Sequence, residues 1–181
     1  MNKTIKADLY RYDGLTGFLG FLKGLNDSGF RYTYFLRKTM QYKLFSVRGI
    51  FFRVLKRLLT YRGYHISNEA QIGDGFSLYH RGTVYIGPIT IGKNCTVSHN
   101  VTIGRTLKGG QIGRPTISDN VWIGTGAVVV GKINIGKDVM IAPNSFVNFD
   151  VPDHSIVIGN PGKIISKENP TKYYITHTID D

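Results

Sequence analysis

Aliphatic residues recur at every sixth position through the middle of the chain. They fall at Ile66, Ile72, Leu78 and Val84, then at Ile91, Val97 and Ile103, and after a longer interruption at Ile117, Ile123, Val129, Ile135, Ile141 and Val147. Glycine follows several of them, as in Ile72-Gly73, Ile91-Gly92, Ile123-Gly124 and Ile135-Gly136. A helix repeats every ~3.6 residues and a strand every ~2, so neither explains a period of six. A left-handed parallel β-helix does: each coil is a triangle, and each side buries one aliphatic residue near its corner. The pattern predicts a mainly β fold, a left-handed parallel β-helix of about five coils across residues 64–150. Three sides to a coil place the coil starts near Ile66, Val84, Ile103, Ile123 and Ile141. The beat slips by one residue between Val84 and Ile91 and by two between Ile103 and Ile117. The second break, from Arg105 to Pro115, is basic and Gly-rich and is expected to protrude as a loop.

The flanks follow other rules. Residues 1–63 read as an N-terminal helical segment. Phe35, Leu36, Met40 and Leu44 lie near helical spacing, and Ile50, Phe51, Val54, Leu55 and Leu58 share a second helical face opposite Arg53, Lys56 and Arg57. Gly14, Gly17, Gly20, Gly24 and Gly29 argue against a long helix before residue 30, although Leu15 to Leu25 suits a short one. Residues 151–181 form a C-terminal extension that ends in a polar tail.

Charge sharpens this picture. The formal net charge is +11, and the stretch from Phe30 to Arg62 holds nine Lys or Arg and no Asp or Glu. Aromatic residues are interleaved with those cations. The combination points to an anionic partner, with peripheral contact of residues 30–62 with an anionic membrane as one expectation and solvated arginines on packed helices as the other. No nucleic-acid role is expected. The first thirty residues do not read as a secretory leader, and no run reaches the ~20 apolar residues that span a bilayer. With a single cysteine, Cys95, no intrachain disulfide framework is available. A cytoplasmic location is expected, with the inner membrane face as a peripheral variant.

Candidate chemistry comes from the solenoid count. His80 is two residues after Leu78, and His99 two residues after Val97. These positions fall on one side of neighbouring coils, so the two imidazoles are expected to stack about one strand spacing (~4.8 Å) apart. Asp119, two residues after Ile117, is expected to continue the column. An imidazole there suits general-base catalysis on a hydroxyl. Two solvated surface histidines are the alternative. Zinc is not expected, because no closely spaced His pair is present and His65 lies on another side of its coil.

The repeat, together with Gly75-Phe-Ser-Leu-Tyr-His80-Arg-Gly, Val101-Thr-Ile-Gly104, Pro115-Thr-Ile-Ser-Asp-Asn-Val-Trp-Ile-Gly124 and Gly159-Asn-Pro-Gly-Lys163, resembles the hexapeptide-repeat acyltransferases. Within them the chain looks most like the serine acetyltransferase-like branch, and closest to enzymes that O-acetylate capsule or exopolysaccharide units. The resemblance implies acetyl-CoA as co-substrate, no metal, and a homotrimer, with pairing of two trimers left open. It implies that His80 is the general base; His99 is the second catalytic candidate by its place in the column, and the orienting partner of His80 is left open among His65, His99 and a backbone carbonyl. Gly104, Arg114, Trp122, Gly124, Thr125, Gly126, Ala142, Pro143 and Lys163 would bind the cofactor. His65, Tyr79, Arg81, Arg105 and Asp119 would bind the acceptor. It also marks departures: His65 and Tyr79 stand where serine acetyltransferases carry acidic residues, and Gly113-Arg114 replaces an Arg-His pair. On that basis the expected reaction is acetyl transfer to a carbohydrate hydroxyl, on a free or lipid-linked glycan in capsular or exopolysaccharide synthesis. Serine O-acetylation is the alternative. A γ-type zinc carbonic anhydrase-like lyase and a non-catalytic trimeric assembly protein represent other classes.

Overall fold

A computed structural model describes residues 2–60, 62–107 and 110–179. Four helices come first: α1 (Lys3–Tyr10), α2 (Gly17–Gly24), α3 (Ser28–Gln41) and α4 (Val47–Leu59). Side chains cap three of them at the N-terminus: Asn2 accepts from Ile5 N–H, Asp27 from Gly29 and Phe30 N–H, and Ser46 from Gly49 N–H. The sequence pattern does not reveal α1, and the spacing of Phe35, Leu36, Met40 and Leu44 is displaced from α3, which begins at Ser28 and ends before Leu44. The glycine at position 29 is one reason. It lies inside α3, and a β-carbon there would collide with the Leu78 carbonyl oxygen, so this glycine permits close packing of the helix on the solenoid.

The solenoid follows. Its first coil contains β1 (Tyr64–Ile66), β2 (Gln71–Ile72) and β3 (Ser77–Leu78); its second contains β4 (Val84–Ile86), β5 (Thr90–Ile91) and β6 (Thr96–Val97). The third is β7 (Val101–Gly104), β8 (Thr116–Ile117) and β9 (Trp122–Ile123), and the fourth β10 (Val128–Val130), β11 (Asn134–Ile135) and β12 (Val139–Ile141). A fifth coil runs from β13 (Phe146–Val147) through a bridge at Val151 to β14 (Ser155–Ile158), and β15 (Lys163–Ser166) folds back antiparallel on β14. Strands of successive coils stack in parallel into three sheets, β1-β4-β7-β10-β13, β2-β5-β8-β11 and β3-β6-β9-β12-β14-β15. This is the left-handed parallel β-helix with about five coils. Its axis is filled by Leu78, Ile86, Ile103, Ile123, Val129, Ile135, Ile141 and their neighbours, each at most 1% exposed. Burial of each such side chain is worth about 1.5–3 kcal/mol.

The register corrects the sequence count in two places. Ile66 pairs with Ile86, and Ile86 with Ile103, so Ile86 rather than Val84 opens the second coil. The one-residue slip is the sum of two unequal corners, a longer one after Leu78 and a shorter one at Gly87-Pro88. The larger break is confined to a single corner. Ile117 pairs with Ile91 on the second sheet, and Ile123 with Val97 on the third. The last two coils therefore begin at Val129 and Val147, not at Ile123 and Ile141. Within the interruption Thr106 and Gly113 form an antiparallel bridge, Lys132 N–H donates to the Gln111 carbonyl oxygen at 2.9 Å, and Leu107 and Ile112 are exposed.

The corner between the second and third sheets recurs with one backbone device. Gly75, Asn94, Asn120, Asp138 and His154 all have positive φ there. Asn and Asp tolerate this left-handed conformation because their short polar side chains bond locally. Among the described residues no helix is long and apolar enough to cross a membrane.

Candidate active site

The corner joining the third sheet to the first carries the histidines. Pairing of Leu78 with Val97 brings His80 level with His99 on the next coil. Their rings meet edge to face, with centroids 5.7 Å apart and planes at 84°. His80 is exposed and His99 half-buried. His80 has φ of +62°, whereas its counterpart His99 does not take the left-handed conformation. The reason is local. Four residues, Tyr79 to Gly82, precede Thr83 in the first coil's corner, where the next coil turns within Ser98 to Asn100. The chain therefore turns early, at His80, and Arg81 to Thr83 loop outward. Buried Tyr64 fixes the turn by donating its hydroxyl to the His80 carbonyl oxygen at 2.8 Å, and Asn100 Oδ1 accepts from Thr83 N–H at 3.1 Å. Gly82 lies so close to His99 that a β-carbon there would stand 2.6 Å from His99 Cβ.

Continuing up the corner, the residue above His99 is Thr125, because Val97 pairs with Ile123. Thr125 Oγ1 lies 3.4 Å from His99 Nδ1, and Gly126 N–H donates to the His99 carbonyl oxygen at 3.1 Å. Pro143 follows: a β-carbon on Gly124 would fall 2.7 Å from Pro143 N. The structure thus gathers Gly124, Thr125, Gly126, Ala142 and Pro143 into a narrow, small-residue track above the histidine pair. Gly124 and Gly126 N–H groups are engaged by Ile141 and His99 carbonyls; Thr125 N–H has no hydrogen-bond acceptor among the described residues. Lys163 lies at the upper end, exposed, beyond the Gly159–Gly162 turn that crosses the same corner.

Asp119 does not continue this column. It lies at the corner between the second and third sheets, where its Oδ1 accepts from Lys93 N–H at 2.7 Å. The expected placement fails because it assigned Ile117 to the third side of its coil. Trp122 lies on the outer face of the third sheet, with Tyr174 of the C-terminal segment packed on its ring at 4.6 Å between centroids. Its ring also borders the track above the histidines, since a β-carbon on Gly124 would fall 2.9 Å from Trp122 Cζ3. Gly104 and Arg105 stand at the opposite end of β7, across the first sheet from His99. Arg114 opens toward the second sheet, beside Glu69 and Gln71. His65 is an exposed residue of β1, in register with Tyr85, while Tyr79 and Arg81 flank His80 directly. The Tyr79 and His80 ring centroids are 6.1 Å apart.

Thr125 as the next member of the column, with its uncommitted N–H, was missed as a neighbour of His99. Only the correct length of the 105–115 insertion would have revealed it. Cys95 is wholly buried, and burial pushes its thiol up to about 12, which makes it core filling rather than a nucleophile. Among the described residues no three His, Cys, Asp or Glu side chains gather as metal ligands.

Residues 114–148 match the family model for the bacterial transferase hexapeptide (six repeats). Serine acetyltransferase of Bacillus pumilus is 40% identical over 125 residues, covering 67% of this chain and 58% of its own length. The chain therefore spans a little over half of that relative. Serine acetyltransferase of Neisseria gonorrhoeae, solved in complex with serine, is 30% identical over 91% of this chain and 68% of its own, with a TM-score of 0.71. Serine acetyltransferase of Brucella abortus, solved in complex with coenzyme A, is 28% identical over 91% of this chain and 67% of its own, with a TM-score of 0.72. These likenesses overturn the expected carbohydrate acceptor and its polysaccharide setting, because curated relatives at 40–41% identity are serine acetyltransferases. They correct the finer resemblance to capsule-modifying enzymes in the same way. With its repeat, coil architecture and extended likeness taken together, the chain belongs to the hexapeptide-repeat transferase family.

Proposed function

We propose that this chain is an acetyl-CoA-dependent serine O-acetyltransferase with His80 as its general base. The observation that carries the reading is the histidine corner, with His80 presented at its apex, backed by likeness to serine acetyltransferases over most of the chain. His80 in its neutral form accepts the proton of the serine hydroxyl as the oxygen attacks the thioester carbonyl. His99, on the next coil above it, acts as a positioning residue, held by Thr125. The tetrahedral oxyanion takes a hydrogen bond from the Thr125 N–H, which no acceptor among the described residues engages. The C–S bond then breaks, and the thiolate of coenzyme A takes the proton back from the imidazolium. Acetylserine and free coenzyme A result.

The small-residue track from Gly124 to Pro143 admits an extended pantetheine arm at backbone distance, and Lys163 at its upper end suits a phosphate. Arg81, beside His80, offers a guanidinium to the carboxylate of serine. Gly104, Arg105 and Arg114 stand across the first sheet. A homotrimer that sets this corner of one copy against the histidine corner of another would bring both groups to one site. The test is the serine dependence of thiol release from acetyl-CoA. The rate should saturate with serine and give O-acetylserine by mass. Thiol release indifferent to serine would contradict the acceptor.

A further inference from the structure

Away from the histidine corner, a cleft of about 400 Å³ opens between α3, α4 and the start of the solenoid. Arg53, Lys56, Arg57 and Arg62 line it, joined by Tyr32 and Asn68, and no carboxylate lies among its walls. The cations come from one stripe of α4, at positions 53, 56 and 57, and from the chain just before β1. Lys56 Nζ sits 4.9 Å over the Tyr32 ring and 3.5 Å from Asn68 Oδ1. Burial, and then the charge of Arg53, pull its ammonium down to about 8. Arg53 spends its terminal nitrogens on the Leu44 and Thr39 carbonyls, and its Nε is buried without a partner among the described residues. Lys56, Arg57 and Arg62 converge on one cavity with no carboxylate to neutralise them, and Arg53 adds its charge to the wall, an arrangement that an oxyanion would complete.

We propose that this cleft is a binding site for a phosphate or diphosphate group, separate from the acetyl-transfer corner. Lys56 supplies a compact charge at the base and Arg57 and Arg62 supply forked donors at the mouth. The phosphate belongs either to a soluble ligand or to a lipid headgroup. The second source is physically open because Ile50, Val54 and Leu58 form an adjacent, exposed apolar stripe on the same helix.

The experiment is calorimetric titration of the full-length protein with pyrophosphate at low ionic strength. It is repeated with Arg57→Gln/Arg62→Gln, which changes two exposed side chains, and with Lys56→Gln, each first shown to melt like the parent. Saturable binding by the parent, weakened about tenfold or more by both variants, is expected. Absence of saturable binding by the parent, or parental affinity in both variants, would overturn the site. A second arm identifies the source. Sedimentation with phosphatidylglycerol vesicles that pyrophosphate abolishes assigns the phosphate to a lipid headgroup. Pyrophosphate binding with no vesicle sedimentation assigns it to soluble phosphates. Both results uphold the cleft.

Discussion

At His80 the backbone sits at φ of +62°, a conformation that costs a non-glycine residue about 1–2 kcal/mol. The extra corner residues and the Tyr64 hydroxyl hold it there, and the return is an imidazole presented clear of the coil surface. His99 on the coil above it is positioned by contact on both sides, Thr125 above and Gly82 alongside. Gly82→Ala tests that positioning. The added methyl would meet His99 Cβ at 2.6 Å and force the imidazole away. Turnover should fall by about ten- to a hundredfold with KM for serine changed much less, since misplacing a group by ~1 Å carries a cost of this order. Parental kinetics in Gly82→Ala would show that the packing of His99 is irrelevant to catalysis.

At the scale of elements, the helices close the open end of the solenoid. The first coil has no earlier coil to cover it, and the helical segment supplies partners instead. Asp8 of α1 accepts from Phe76 N–H at 2.9 Å and pairs with Arg37 of α3 at 2.8 Å, while Arg37 donates to the Ile72 and Gly73 carbonyls. Burial pushes the Asp8 carboxyl up and Arg37 draws it back, so both members depend on the pair. Asp8→Ala should cost about 3–5 kcal/mol in urea unfolding, because it strands a buried guanidinium. A loss below about 1 kcal/mol would mean that the pair contributes no more than a surface salt bridge does.

How far these elements were legible in the sequence follows from the same physics. The coils announce themselves because each side must bury an aliphatic residue, and Leu78 and Val97 therefore locate His80 and His99 correctly. The helical cap does not. Its key contacts are a buried carboxylate on a short helix and a glycine at position 29 needed for close approach, and periodicity signals neither. The loop after Gly104 misleads for a different reason. The step of fourteen from Ile103 to Ile117 fits two sides plus two residues as well as one side plus eight, and only pairing in space distinguishes them. That ambiguity moved Asp119 into the column and left Thr125 out.

For the whole molecule, the solenoid is a rigid rod with distinct faces. Under the proposed function the corner at His80 and the track above it serve transfer; the C-terminal segment packs Tyr174 on Trp122 and Thr171 on Asp138, and the basic cleft lies at the capped end. The proposed acetyl-transfer groups stand at two corners of the first sheet, and the proposed trimer is the assembly that would join them. The most direct test of the central claim is the rate of acetyl transfer to serine by His80→Asn. Asparagine keeps the left-handed backbone but removes the base. The account predicts a melting temperature close to the parent, retained binding of coenzyme A, and transfer slowed by about a hundredfold or more. Transfer within a few-fold of the parent by a correctly folded His80→Asn protein would contradict it.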